Sequence, residues 1–375
     1  MIYFDNAATS FPKPQCVVEE MKKCINEYCG NPGRSAHKLS IKSAEKIFEA
    51  RQLLAEMFNA ESENVVFTLN TTYALNIAIK TLLKPYSHVL ISDMEHNSVF
   101  RPVYALSSNG DCSFDIFSTS GSEEEIINEI EKKITHNTSM IVCCHVSNIG
   151  VRRLPLEKIG KICKDKGITF IVDAAQSAGI FDINIKNMNI NALCFPAHKA
   201  LYGPQGVGAV IFNNIEPLRT FVEGGTGINS KEANMPDFLP EALEAGTMPT
   251  PALSGFCEAL KWLKELDICK IRMHEEDLFL TCKMLLEENN KIILYNMNDY
   301  LGNTLLFNVK NKSAPYIASK LNEKNIYVRA GFHCSPLGHK ILKTGESGAI
   351  RISFSVFNTK KEVFDFCDVI NSLAK

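Results

Sequence analysis

The sequence carries almost no net charge: 40 Lys and Arg against 42 Asp and Glu leave −2 over 375 residues. That balance provides no electrostatic footprint for nucleic acid or an acidic membrane surface. No uninterrupted apolar run is long enough to span a bilayer. The opening residues, MIYFDNAATSFPKP, contain neither a basic leader nor an apolar signal core, so a cytoplasmic location is expected rather than export. The 13 cysteines include no C-x-x-C pair, and their odd, scattered placement suits free thiols in a reducing compartment rather than a disulfide framework. Internal repeats and low-complexity tracts are also missing. What is present is ordinary for a globular chain, 45% apolar and 22% charged, with enough length for a large core and two domains.

From about residue 40 to 250, helical and strand-like patterns alternate. The helix-like stretches SAEKIFEARQLLAEMFN, YALNIAIKTLL, EEEIINEIEKKI and LEKIGKICKDKG are interleaved with the apolar runs NVVFT, HVLIS, SMIVCCHVS, ITFIVDAA, NALCFPA and GVGAVIF. Such an alternation predicts an α/β fold with a mostly parallel central sheet covered by helices on both faces. Residues 223–251 are irregular and rich in Gly, Pro and Met, too long for a routine connection, so this segment is expected to be functional or disordered. A long helix (ALSGFCEALKWLKEL) and a mixture of helices and strands follow. The expected division is a large domain over 13–250 and a small α+β domain from 1–12 and 251–375.

Ligands of open α/β sheets bind beyond the carboxyl ends of the strands, so the residues that follow each strand are the candidates. After NVVFT come Asn70, Thr71 and Thr72, directly before a helix; hydroxyls and free N–H groups there suit a phosphate, or simply an N-cap. His96 follows HVLIS, Asn148 follows IVCCHVS, and Asp173 with Gln176 ends ITFIVD. His198 and Lys199 follow ALCFP, within FPAHKALYGPQG. Each alone has a plainer reading as a cap, turn or surface residue. One ligand would use them all: pyridoxal 5′-phosphate, an aromatic cation bearing a phosphate and an aldehyde. Asp173 would keep its ring nitrogen protonated, which sustains the electron sink. His96 would stack on the ring, Gln176 reach the phenolic oxygen, Thr71 and Thr72 hold the phosphate, and Lys199 form the Schiff base. The small residues Ala197, Ala200 and Gly203 would let the cofactor approach the backbone.

Taken in order, YFDNAAT, NPGRSAHKLS, FTLNTTYALN, MEHNSV, HVSNIG, VDAAQSAG, AHKALYGPQG, EAGT, VRAGFHCSPLGH and IRISF resemble the class V, fold-type I pyridoxal-phosphate enzymes nearly end to end. Within that family the chain is similar to the group II cysteine desulfurases and selenocysteine lyases. The resemblance implies His198 and Thr247 as further phosphate ligands, the threonine donated across a homodimer interface. It implies Arg351 as the clamp for the substrate carboxylate, with Asn148 and Arg329 shaping the same pocket, and Cys334 as the cysteine that takes sulfur as a persulfide. His96 is carried over as a catalytic residue beside Lys199 and Cys334. His333, or an acceptor derived from the substrate, would remove the thiol proton.

One position departs from the pattern. Pro196 stands three residues before the lysine, where the family commonly has a Ser or Thr hydroxyl on the phosphate. The expected function is a cysteine desulfurase that converts L-cysteine to L-alanine and passes sulfur to a persulfide-acceptor protein. The alternatives are a selenocysteine lyase or another lyase of sulfur amino acids, and, in a different class, a weakly active sulfur-carrier scaffold. A zinc site from His333, Cys334 and His339 has unsuitable spacing, so no metal is expected.

Overall fold

The computed structural model describes residues 1–33, 36–150, 152–215, 219–295 and 302–375. Strand β1 (Ile2–Tyr3) and helices α1 (Gln15–Lys23) and α2 (Lys38–Phe58) precede the main sheet. That sheet contains β2 (Val65–Thr68), β3 (Ser87–Ser92), β4 (Cys112–Phe117), β5 (Thr138–Cys144), β6 (Thr169–Asp173), β7 (Ala192–Pro196) and β8 (Gly208–Phe212). Their spatial order is β2-β8-β7-β6-β5-β3-β4. Every neighbouring pair is parallel except the two made by β8.

Helices α3 (Thr71–Leu82), α4 (Asn97–Ser108), α5 (Glu123–Lys133) and α6 (Leu156–Lys166) connect these strands. Alternate side chains of one strand enter opposite cores. Phe170 and Val172 of β6 pack with Leu54 of α2, Ile130 of α5 and Ile159 of α6, whereas Ile171 packs with Ala74 of α3 and Val103 of α4. Both faces are therefore covered, as the apolar runs predict, because a strand buried on both sides has no polar face to alternate. The run CSFDIF was not singled out as a strand, yet it forms β4 at the sheet edge. There it is only partly buried, and Ser113 and Asp115 break its apolar pattern.

Beyond the main sheet come α7 (Thr250–Leu266), α8 (Ile268–Glu287), β9 (Ile292–Leu294), β10 (Thr304–Val309), α9 (Ala314–Asn322), β11 (Ile326–Tyr327) and β12 (Arg329–Gly331). Helix α10 (Pro336–Leu342), β13 (Ala349–Ser353) and α11 (Lys360–Ala374) complete the chain. An antiparallel sheet of order β12-β13-β10-β9 encloses a separate core, where Leu278 of α8, Ile317 of α9 and Phe366 of α11 meet Leu305 and Ile352. β1 pairs in parallel with β11, and Phe4 packs edge-on against Phe354 and Phe366.

Residues 223–249 form neither helix nor strand, but the segment is anchored. The Glu244 carboxylate, buried with Arg51, pairs with that guanidinium and also accepts the backbone N–H of Phe67 at 2.6 Å. A second guanidinium N–H of Arg51 donates to the Val65 carbonyl. One buried ion pair thus holds α2, the edge strand β2 and the irregular segment together. Breaking such a pair leaves an uncompensated buried charge, at about 3–5 kcal/mol. Glu244→Gln should therefore lower the unfolding free energy from urea denaturation by an amount in that range; a change within about 0.5 kcal/mol, typical of a surface site, would contradict the anchoring role.

Candidate active site

With β8 reversed, the carboxyl ends of β2, β3, β5, β6 and β7 share one edge with the start of β8. Close approach there depends on a missing side chain. A Cβ on Gly208 would lie 2.9 Å from both the Asn70 Cα and the Phe195 carbonyl oxygen, so only glycine lets the Asn70 turn rest on β8. At this edge Thr71, Thr72, His96, Asn148, Asp173, Gln176, His198 and Lys199 line one cavity.

The cavity floor carries the charge. Asp173 is 4% exposed, and its carboxylate accepts one hydrogen bond among the described residues, from Ala175 N–H at 2.9 Å. Burial raises its pKa, opposed by that N–H and by the charge of Lys199. The Lys199 amine is pushed down to about 8 by burial, while Asp173 favours its charged form and Arg351 and Arg329 oppose it. A second carboxyl, Glu95, is fully buried nearby. Its Oε1 accepts from Cys144 N–H at 2.9 Å and from the Ser92 hydroxyl, Oε2 has no partner among the described residues, and burial pushes it up to about 8. Glu95 therefore favours its protonated form at neutral pH, while Lys199 and the Ala175 N–H favour the charged form of Asp173.

His96 caps α4. Its Nδ1 accepts from Ser98 N–H at 3.1 Å and lies 2.8 Å from the Ser98 hydroxyl, which meets Thr72 Oγ1 at 2.7 Å. With Nδ1 an acceptor, the proton sits on Nε2. Burial, reinforced by the positive charges of Lys199, Arg329, Arg351 and Arg101, drives its pKa down to about 4, so the ring is neutral.

Beside it, the start of α3 offers donors that suit an anion. Asn70 caps the helix through Tyr73 N–H at 3.0 Å, and the Thr71 hydroxyl has no partner among the described residues. His198 Nδ1 is buried without a partner among the described residues, and burial holds the ring neutral with its pKa near 4. Pro196, at the end of β7, adds no hydroxyl here. Gln176 lines the cavity with one amide N–H tied to the Ala7 carbonyl at 3.0 Å. Thr247 is exposed in this chain and does not line the cavity.

The backbone on both sides of Lys199 is clamped by residues that the sequence reading passed over. The His198 carbonyl accepts from Ser10 N–H at 3.0 Å, Thr9 Oγ1 at 3.1 Å and Lys13 Nζ at 2.7 Å, and the Lys199 carbonyl accepts from Ser10 Oγ at 2.9 Å. Lys13 has no carboxylate partner among the described residues, and burial lowers its pKa to about 8. Its only cue in the sequence was its place in the FPKP turn close behind YFDNAAT.

The opposite rim comes from the second sheet. Arg351 on β13 is 1% exposed; it pairs with Asp5 at 2.8 Å and donates to the Asn148 carbonyl at 3.0 Å, and its Nε has no partner among the described residues. Arg329 stands opposite it in register on β12 and is exposed. The charges of both arginines act on Lys199 and His96, so this rim is positive. The exposed thiol of Cys334 sits on a turn where His333 and Cys334 have φ of 51° and 58°, in the left-handed region. Asn148 holds that turn from below: its Nδ2 donates to the His333 carbonyl at 2.6 Å and its Oδ1 accepts from the Ser335 hydroxyl at 2.5 Å. Asn97 N–H donates to the Cys334 carbonyl at 2.8 Å.

Two readings change. His333 is 5% exposed, both ring nitrogens are engaged, and burial holds its pKa near 2, so it is no base for the Cys334 thiol. His333 and His339 bond each other rather than a metal, and no group of three or more His, Cys, Asp or Glu is arranged to hold one among the described residues. Gly203 does not make room for a ligand. A Cβ there would meet Phe256 Cδ2 at 2.6 Å and Ala197 Cβ at 2.9 Å, so its absence seats α7 against the lysine loop. The donor set as a whole suits a ligand that combines a cationic aromatic ring, an aldehyde and an anionic group.

The aminotransferase class-V family model matches residues 2–366. A probable cysteine desulfurase of Pyrococcus abyssi is 33% identical over 388 residues, covering 100% of this chain and 94% of that protein. One from Methanothermobacter thermautotrophicus is 29% identical over 373 residues, covering 96% and 92%. Among solved structures, the apo cysteine desulfurase of Thermococcus onnurineus NA1 superposes with a TM-score of 0.92 at 30% identity, covering 100% of this chain and 94% of that one. Among the described residues no helix is long and apolar enough to cross a membrane.

The lowered pKa of Lys199 has a measurable consequence. In protein stripped of bound aldehyde, reductive modification of Lys199 should rise through a midpoint near pH 8, whereas surface lysines titrate near pH 10.4. Asp173→Asn should move the midpoint lower still, because Asp173 supports the charged amine. Peptide-resolved labelling against pH would show this, and a wild-type midpoint above pH 10 would contradict the electrostatic picture.

Proposed function

The chain belongs to the aminotransferase class-V family, and from that premise we propose that it is a pyridoxal-phosphate-dependent cysteine desulfurase. It converts L-cysteine to L-alanine and takes the sulfur onto Cys334 as a persulfide. The observation that carries this reading is an exposed cysteine on a turn bonded by Asn148, which lines the same cavity as Asp173 and Lys199.

Pyridoxal phosphate, when bound, supplies an electron sink for negative charge at the substrate α-carbon. Asp173 offers the charge that keeps a pyridine nitrogen protonated, and neutral His96 offers a ring face beside it. Thr71, Thr72, His198 and the start of α3 offer donors for a phosphate, and an exposed Thr247 is available to a second copy in a homodimer. Lys199 Nζ, neutral in a large fraction near pH 8, anchors the aldehyde and then moves the α-proton. Arg351, with Arg329 nearby, receives the substrate carboxylate.

Sulfur transfer closes without an outside oxidant or reductant. The Cys334 thiolate attacks the substrate sulfur, an S–S bond forms and the C–S bond breaks. Its electron pair stays with carbon, which takes up a proton and becomes the alanine methyl group. The Cys334 proton leaves to an acceptor derived from the substrate, since His333 is occupied and non-basic. The persulfide then passes to an acceptor thiol, in keeping with a reducing cytoplasm and with the 13 free cysteines.

Cys334→Ala should still give the absorbance change on mixing with cysteine but lose alanine and sulfide production by about two orders of magnitude or more, about 2.7 kcal/mol in barrier. Near-wild-type production in this variant would remove Cys334 as acceptor. Loss of cysteine activity with selenocysteine activity retained would instead favour a selenocysteine lyase.

A further inference from the structure

The turn that bears Cys334 has two successive residues in the left-handed region, neither of them glycine, and such a turn persists only if its surroundings hold it. Asn148 and Asn97 hold its carbonyls from the cavity side. On the far side, three buried side chains form a line. Thr344 Oγ1 lies 2.9 Å from His339 Nδ1, His339 Nε2 lies 3.1 Å from His333 Nδ1, and His333 Nε2 lies 3.3 Å from the Arg329 carbonyl. His339 is 2% exposed, Thr344 5% and His333 5%, and the two imidazoles stack with centroids 5.2 Å apart.

The chemistry of the last acceptor fixes every proton in the line. A carbonyl only accepts, so His333 Nε2 carries hydrogen and Nδ1 of the neutral ring accepts. His339 must then donate from Nε2 and accept at Nδ1, which leaves the Thr344 hydroxyl as the first donor. Protonating His333 would place two N–H groups face to face, and protonating His339 would turn the Thr344 hydroxyl into an acceptor; burial keeps both rings neutral, with pKa values near 2 and 4.

We propose that the Thr344–His339–His333 chain is the device that holds the Cys334 turn, making His339 and Thr344 positioning residues for the sulfur-accepting thiol. This rests on Cys334 being that acceptor. The chain joins the turn, α10 and the loop before β13, so it ties the thiol to the rigid part of the second sheet rather than to the cavity alone. A reacting group displaced by about 1 Å loses on the order of 10²-fold in rate, which makes such a tether a matter of rate as well as of stability.

The test uses the pyridoxal-phosphate-loaded enzyme with Thr344→Val, which keeps the shape and removes the donor, alongside Thr344→Ser, which keeps the donor. Three quantities are read: the fast absorbance change on mixing with cysteine, single-turnover alanine formation, and backbone deuterium exchange of residues 331–336. Thr344→Val should leave the absorbance step unchanged, slow alanine formation by roughly tenfold or more and speed exchange in 331–336, while Thr344→Ser matches wild type. His339→Phe should act in the same direction as Thr344→Val. Equal behaviour of the Val and Ser variants, or slowing of the absorbance step to the same extent as alanine formation, would overturn the proposal. If Cys334→Ala itself retains wild-type alanine formation, the acceptor assignment fails instead, which is a separate outcome.

Discussion

Asp173 ends an apolar strand at 4% exposure with one N–H donor on its carboxylate. Lys199 is close enough for its charge to be felt, yet the two groups are not an ion pair. A carboxylate in that position is costly unless a cation completes it, and removing it from water without a partner costs several kcal/mol. Lys199 and the Ala175 N–H favour the charged form there against the effect of burial. Glu95 is held protonated, and His96 and His198 are held neutral by burial and by nearby cations. A positively charged aromatic ring bound there would relieve the cost.

Residues 5–13 connect this floor to the opposite rim. Asp5 engages Arg351, Ala7 N–H donates to the Ser353 hydroxyl at 2.7 Å, and Gln176 donates to the Ala7 carbonyl. Ser10 and Lys13 then fasten the backbone around Lys199. Farther back, Tyr202, three residues after the lysine, donates to buried Glu275 of α8 at 3.0 Å and accepts Val356 N–H at 3.0 Å. The lysine loop is therefore held by the N-terminal segment on one side and by α8 and the chain after β13 on the other.

Much of this was legible in the sequence because the strongest signals coincide with physical necessity. Fully buried strands read as continuous apolar runs, and the polar residues that end them had to face a ligand or pay a desolvation penalty. The edge strand β4 escaped because half-exposed alternation over six residues, interrupted by Ser113 and Asp115, resembles a loop. Helix α4 escaped because Pro102 lies inside it. The roles of Lys13, Glu95 and His339 were not readable, since each depends on what lies across the fold. A lysine facing carbonyls, a glutamate without a cation and a histidine bonded to another histidine look the same in sequence as their surface counterparts. His333 was misread for the same reason: adjacency to Cys334 in sequence suggested a base, but the ring points away into its own hydrogen-bond chain.

The central claim is that sulfur leaves cysteine within this cleft and arrives on Cys334. The most direct measurement incubates the pyridoxal-phosphate-loaded protein with sulfur-labelled L-cysteine and no reductant, then maps bound sulfur by peptide mass spectrometry while counting alanine. The account predicts one labelled sulfur on the Cys334 peptide for each alanine formed in the first turnover, with none on exposed Cys29 or Cys269. Alanine formed with the label on another cysteine, or free in solution from the outset, would contradict it.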